Sequence, residues 1–173
     1  MRIVAGQWKG RRISAPSGTD VRPTLDRVRE AWMSILQMEI PGAKVLDLYS
    51  GSGALGLEAL SRGAASADFV ENASRTIAAL EENIQSLGAV RLSRVHRMQS
   101  LKFVKTLPAH SFDLTFADPP YSEGEAEKLA EVWIKTPFSA ILSVEHGRDA
   151  TMPEGGETRR YGTASITIYR CAE

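Results

Sequence analysis

From Lys44 onward, short apolar runs alternate with stretches of helical periodicity, and this alternation leaves few architectures open. The pattern predicts strands over 44–48, 67–71, 90–96, 112–117 and 140–144. Between them it predicts helices over 53–62, 74–87, 100–107 and 124–135, with Ser74 as a capping residue and Gly88 as a stop. Strand–helix repetition with short loops implies a parallel sheet covered by helices on both faces. The last apolar run differs. Ala164, Ile166 and Ile168 alternate with Ser165, Thr167 and Tyr169 and no helix follows, which predicts a half-buried antiparallel strand. In sheets of this kind ligands bind beyond the carboxyl ends of the strands.

Residues 1–43 have a different character and read as an extension packed on a core of residues 44–173, the whole being effectively one domain. Arg2–Ala5 and Arg11–Ala15, flanking Gly6 and Gly10, suggest a small hairpin. Pro23-Thr24 opens a helix with Leu25, Val28, Trp32, Ile35 and Leu36 on one face. The chain carries 21 basic and 21 acidic side chains, so its formal charge is zero. Residues 1–30 hold seven basic and three acidic residues, a net +4, and the remainder must carry −4. Uniform basicity, the usual sign of a nucleic-acid binder, is excluded, but a basic patch is not. The single Cys171 excludes an internal disulfide, and the three histidines have no metal-ligand spacing, so no metal is expected. Without a signal-like or membrane-length apolar run, the expectation is a soluble cytoplasmic protein.

The chemistry sits in two places. Gly51-x-Gly53-x-x-Gly56 lies between the first predicted strand and its helix. Asp47 lies near the end of that strand, and Glu71 ends the next, placed to accept hydrogen bonds from ribose hydroxyls. A carboxylate at Asp47 would repel a dinucleotide's pyrophosphate but attract an ammonium. The set therefore fits S-adenosylmethionine better than NAD. The second place is Asp118-Pro119-Pro120-Tyr121, directly after the fourth strand. A rigid turn is one reading. The chemical reading is an acceptor pair, the Asp118 carboxylate and the Pro119 carbonyl, holding both hydrogens of an exocyclic base amine. Pro119 and Pro120 fix that geometry, and Tyr121 is expected to stack on a flipped-out base. The amine nitrogen, a poor nucleophile, then needs orientation rather than a strong base.

With these residues the chain resembles the bacterial 16S rRNA guanine-N2 methyltransferases of the guanine-966 family. The resemblance spans Gly6–Arg11, Arg22–Glu30, Asp47–Ser61, Glu71 and Asp118–Tyr121, and the first two blocks narrow it to that family. It implies a Rossmann-like class I methyltransferase fold, with a mostly parallel seven-stranded sheet. It also implies methylation of one guanine of 16S rRNA in an assembled or assembling small subunit by a monomer. Cofactor contacts are expected from Asp47, Tyr49, Gly51, Gly53, Glu71, Gln99 and Ser100. Where many relatives have an acid or Asn followed by Ala, this chain has Gln99-Ser100; the Gln99 carbonyl can still accept from the adenine amine, more weakly. The alternative is an adenine-N6 or other base-amine methyltransferase; a non-catalytic nucleotide-binding module leaves Asp118–Tyr121 unexplained.

Lys9, Arg11, Arg12, Arg22 and Arg27 are the expected RNA contacts, giving salt-dependent and sequence-blind affinity. Trp8 is expected to pack rather than stack. Arg29, four residues after Leu25, faces inward and pairs with an acid or lines the site; both remain open. Glu145 caps the fifth strand or touches substrate. Arg159 and Arg160 read as a solvated turn.

Overall fold

The computed structural model describes residues 1–16 and 23–172. In chain order the elements are α1 (Pro23–Ile35), β1 (Lys44–Leu48), α2 (Ala54–Ser61), β2 (Ser66–Glu71) and α3 (Ser74–Ser86). A 3-10 turn (Val90–Leu92) leads into β3 (Ser93–Arg97), α4 (Ser100–Lys105), β4 (Phe112–Ala117), α5 (Glu125–Lys135), β5 (Ser139–Gly147), β6 (Glu157–Tyr161) and β7 (Ala164–Arg170). One seven-stranded sheet runs in the order β3-β2-β1-β4-β5-β7-β6. The first five strands pair in parallel, and β7 is antiparallel to both β5 and β6, so the sheet is mixed.

Side-chain alternation along the strands divides the core in two. Val45, Phe69, Leu114 and Phe116 face α1, α2 and α3 through Val28, Trp32, Leu57, Leu60, Leu80 and Ile84. Leu46, Leu48, Val70, Leu142 and Val144 face α4 and α5 through Phe103, Val104, Leu129 and Trp133. The central strands are buried on both sides, which is why they read as continuous apolar runs. Ile3, Ile13, Trp32, Met33 and Leu36 from the first 43 residues belong to the same buried cluster as β1 and β4. Trp8 packs half-buried against that cluster.

Polar groups in the helices hold the amino-terminal segment down. The buried Glu58 carboxylate accepts the N–H groups of Val4 (2.8 Å) and Ala5 (3.1 Å), and pairs with Arg62 at 3.0 Å. Ser61 accepts from Gln7 N–H through its carbonyl and from Trp8 N–H through its hydroxyl. Gly6 (φ 88°) passes so close that a Cβ there would lie 1.9 Å from the Ser61 carbonyl oxygen. Asn83 accepts the Ser14 N–H and donates to the carbonyls of Ser14 and Ser52, tying this segment to α3 and to the glycine loop.

The expected amino-terminal hairpin forms around an antiparallel Arg2–Arg12 bridge, with the N–H groups of Ile3 and Ile13 donating to the carbonyls of Arg11 and Met1, while Glu58 takes the N–H groups of Val4 and Ala5. Three expectations need correction. Residues 90–92 form a turn, shortening the third strand. Ser74 is the first helical residue; Ala73 occupies the cap position and the Ser74 hydroxyl accepts from Arg97. Arg159 and Arg160, expected in a solvated turn, lie in the edge strand β6.

Candidate active site

The loop after β1 is built by three glycines that do different work. Gly51 has φ 55° and open space where a Cβ would point. Gly53 (φ 88°) is pressed against Leu80, Leu57 and Phe69, with a Cβ 2.4 Å from Leu80 Cδ1. Gly56 lies over Phe69, where a Cβ would be 2.4 Å from the ring. Gly51 is thus the position that leaves the backbone open to a ligand, and the other two let α2 settle on the sheet.

Asp47 lies beneath this loop, 1% exposed. Its Oδ2 accepts the Gly56 N–H at 2.9 Å, and its Oδ1 is buried without a partner. Burial pushes the Asp47 carboxyl well above the usual carboxylate range, against the lowering effect of the Gly56 hydrogen bond. Asp47 lines neither cavity described below. The Glu71 carboxylate accepts three backbone N–H groups, from Gly51 (3.1 Å), Asn72 (2.9 Å) and Ala73 (3.0 Å), and so fastens the loop to the end of β2. Tyr49 (φ 53°) donates its N–H to the Ser100 hydroxyl at 3.0 Å and its O–H to Glu125 at 2.6 Å.

Two cavities of about 400 and 420 Å³ open at the carboxyl ends of the strands and share Tyr49, Glu71 and Asp118 as common walls. The first continues under α1, past Leu25, Arg29 and Trp32, to Glu145; the glycine-loop residues Ser50, Gly51 and Ser52 also line it. The second runs past Gln99, Ser100 and Pro120. Gln99 is exposed there, with no side-chain bond to the α4 N-terminus. Gly53 and Pro119 line neither cavity.

Asp118 leaves β4 one residue beyond the Ala117–Val144 register pair, which brings it beside Glu145 at the end of β5. Asp118 reaches solvent through the cleft, yet the surrounding protein, and then Glu145, raise its carboxyl well above the usual range. Glu145 is 6% exposed and accepts the Tyr121 O–H at 2.9 Å. The Tyr121 ring leans on Gly147, is 55% exposed, and lines neither cavity, so it is not poised to stack there. Arg29 is 7% exposed; its Nη2 donates to the Arg2 carbonyl (2.8 Å) and lies 3.7 Å from Asp26, while Nε and Nη1 have no partner. The two readings of Arg29 are therefore both realised in part.

Lys9, Arg11, Arg12 and Arg27 are exposed, with Arg11 donating to the Ser86 carbonyl at 2.7 Å; Arg22 lies outside the described residues. Arg159 pairs with Glu157 on the β6 edge. Among the described residues there is no group of three His, Cys, Asp or Glu able to hold a metal, and no helix long and apolar enough to cross a membrane. Glu58 and Asn83 escaped the reading of the sequence. Acids and amides inside helical patterns look the same whether they face water or anchor another segment.

A mixed sheet in this order, with its loops gathered at the carboxyl ends of β1, β2 and β4, is the Rossmann-like methyltransferase architecture. The structure superposes on a putative methyltransferase of Escherichia coli, yhhF, with a TM-score of 0.84 and 33% identity over 98% of this chain and 97% of that one. A putative methylase of Haemophilus influenzae matches with a TM-score of 0.81 and 31% identity over 99% and 98% of the two chains. Within that class the chain belongs to the family described as conserved hypothetical protein 95, whose model matches residues 1–170. Ribosomal RNA small subunit methyltransferase D of Escherichia coli K12 is 40% identical over 98% of this chain and 88% of its own length.

Proposed function

We propose that this protein methylates the exocyclic N2 amine of a guanine in 16S ribosomal RNA, using S-adenosylmethionine. The observation that carries the reading is Asp118 at the junction of two cavities, one bounded by the glycine loop and one by α4. A group at that junction meets a cofactor and a base at once. The relatives named ribosomal RNA small subunit methyltransferase D support rRNA as the substrate.

The residues present suit this cofactor. Gly51 leaves space for a close approach, and the acids around the cleft suit a cationic, phosphate-free ligand. Glu71 has lone pairs left after its three N–H contacts and takes the ribose hydroxyls; Tyr49, Gln99 and Ser100 bound the adenine end. Asp47 acts from below by fixing the loop, and Gly53 by close packing. When bound, the cofactor supplies an electrophilic sulfonium methyl. Asp118 accepts one amine hydrogen and the Pro119 carbonyl the other, with Pro120 stiffening the turn. Tyr121, hydrogen-bonded to Glu145, closes the rim. Lys9, Arg11, Arg12, Arg22 and Arg27 meet the RNA backbone, making residues 1–43 the RNA-facing extension of one domain whose catalytic core is 44–173. The protein acts as a cytoplasmic monomer on an assembled or assembling subunit.

The test is transfer of a tritiated methyl group to small subunits, large subunits, free rRNA and DNA, followed by nucleoside analysis. N2-methylguanosine from small subunits or 16S rRNA is expected; labelled adenine from DNA would overturn the reading. Asp118→Ala should abolish transfer and leave cofactor-induced thermal stabilisation nearly intact. Stabilisation by NAD in place of S-adenosylmethionine would also refute it.

A further inference from the structure

The guanine-N2 reading explains Asp118 but leaves two buried charged groups of the same cavity without a task. Glu145 is a carboxylate beside Asp118, held by the Tyr121 hydroxyl and walled off from bulk water. Arg29 is the one cationic side chain among the described residues lining that cavity, and two of its guanidinium nitrogens lack any partner. A buried guanidinium with unused donors is costly unless a ligand completes it. The two groups line one cavity from different elements. Glu145 rises from the end of β5, and Arg29 descends from α1, whose Trp32 packs on Phe116 and donates to Ser143 of the same two strands.

Resting on that reading, we propose that Glu145 and Arg29 select guanine: Glu145 accepts the N1–H of the base, and Arg29 donates to its O6. The chemistry of the base edges supports the choice. Guanine presents N1–H beside its N2 amine, so one edge offers donors to both neighbouring carboxylates. Adenine places an unprotonated N1 beside its amine, and an ionised carboxylate only accepts hydrogen bonds. Asp118 and Glu145 stand side by side at this cavity, so the pair demands donors, and the guanine edge supplies them. The O6 carbonyl, on the far side of N1, then needs a donor, and Arg29 has one free. Arg29 is assigned to the base because its helix is fastened to β4 and β5, the strands that carry Asp118 and Glu145, through Trp32.

The test uses 2-aminopurine, which keeps the N2 amine but has an acceptor at N1 and no O6. Small subunits are rebuilt with 16S rRNA carrying guanine or 2-aminopurine at the position the wild-type enzyme methylates. The wild type should favour guanine by about a hundredfold, as expected when a buried polar group is left unpaired. Glu145→Gln turns an acceptor into a group that can also donate to N1. Arg29→Met removes the O6 donor. Each should narrow the preference about tenfold or more, with unchanged cofactor-induced thermal stabilisation. Tyr121→Phe, which only frees Glu145 from its anchor, should slow both substrates without narrowing the ratio. An undiminished preference in Glu145→Gln overturns the proposal, as does equal narrowing by Tyr121→Phe. Arg29→Met that loses cofactor binding and keeps the preference assigns Arg29 to the cofactor carboxylate and overturns its part. A wild-type product other than N2-methylguanosine would instead defeat the underlying functional reading.

Discussion

Gly51, in the loop after β1, and Gly56, in the first turn of α2, stand five residues apart, yet the same substitution should fail in different ways. In Gly56→Ala the new methyl lies 2.4 Å from Phe69 Cε1, 2.9 Å from Cζ and 3.1 Å from Asp47 Oδ2. Phe69 is fully buried and cannot swing aside. Overpacking of this kind costs roughly 1–3 kcal/mol. Displacing α2 also stretches the Gly56 N–H bond to Asp47, worth about 1 kcal/mol or more. Helix propensity returns about 1 kcal/mol. The net is a loss of about 2 kcal/mol, or roughly 4–8 °C in Tm for a chain of this size. In Gly51→Ala there is open space, and only the left-handed backbone is penalised, by ~1–2 kcal/mol, partly offset by a stiffer unfolded chain. Its stability loss should be about half as large, but its methyl points toward the cofactor space. Urea unfolding of both variants, with and without S-adenosylmethionine, separates these effects. Gly56→Ala should show the lower midpoint, Gly51→Ala the larger loss of ligand stabilisation relative to its own baseline. A Gly56→Ala midpoint equal to wild type would refute the close-packing argument.

Asp118→Asn should stabilise the ligand-free protein at neutral and alkaline pH while abolishing methyl transfer. The native carboxyl titrates above its unfolded value, so its favourable contribution is complete below the unfolded pKa and is lost as pH rises through the raised one. The variant's advantage in urea midpoint should therefore shrink toward acid, and a gap growing toward acid would contradict the sign. Glu58→Ala strands two buried N–H groups and Arg62, and should cost about 2–4 kcal/mol. It should also expose residues 1–16 to limited proteolysis before the rest of the chain. Neutralising Lys9, Arg11 and Arg12 together should reduce the slope of log affinity for RNA against log salt by roughly 2; an unchanged slope removes them from the RNA contact.

What was legible in the sequence followed from one-dimensional patterns. The central parallel strands are buried on both faces, so their apolar runs stood out, and the glycine loop and Asp118–Tyr121 fell at their ends as predicted. Strand β6, Glu-Thr-Arg-Arg-Tyr, lies on an edge with both faces largely in water and shows no apolar alternation. The different tasks of Gly51 and Gly53 depend on Leu80, Leu57 and Phe69, which only the fold brings near. Asp47 reads as a ligand group because it lies near the end of a strand, four residues before a glycine loop, where a carboxylate attracts an ammonium. The fold shows that its hydrogen-bonding partner is Gly56, nine residues later, with the loop between it and the cavity.

The position of β7 has a consequence for how the protein is made. β7 is the last strand in sequence but lies between β5 and β6, and Ile166 and Ile168 complete the core beneath α1. Until residue 170 has left the ribosome, β5 offers a bare hydrogen-bonding edge beside Leu142 and Val144, and β6 has nothing to pair with. Such an edge templates pairing between chains. The nascent polypeptide is thus most association-prone between the emergence of β5 and that of β7. Slowed translation over codons 148–170 should raise the aggregated fraction more than an equal delay over codons 44–66.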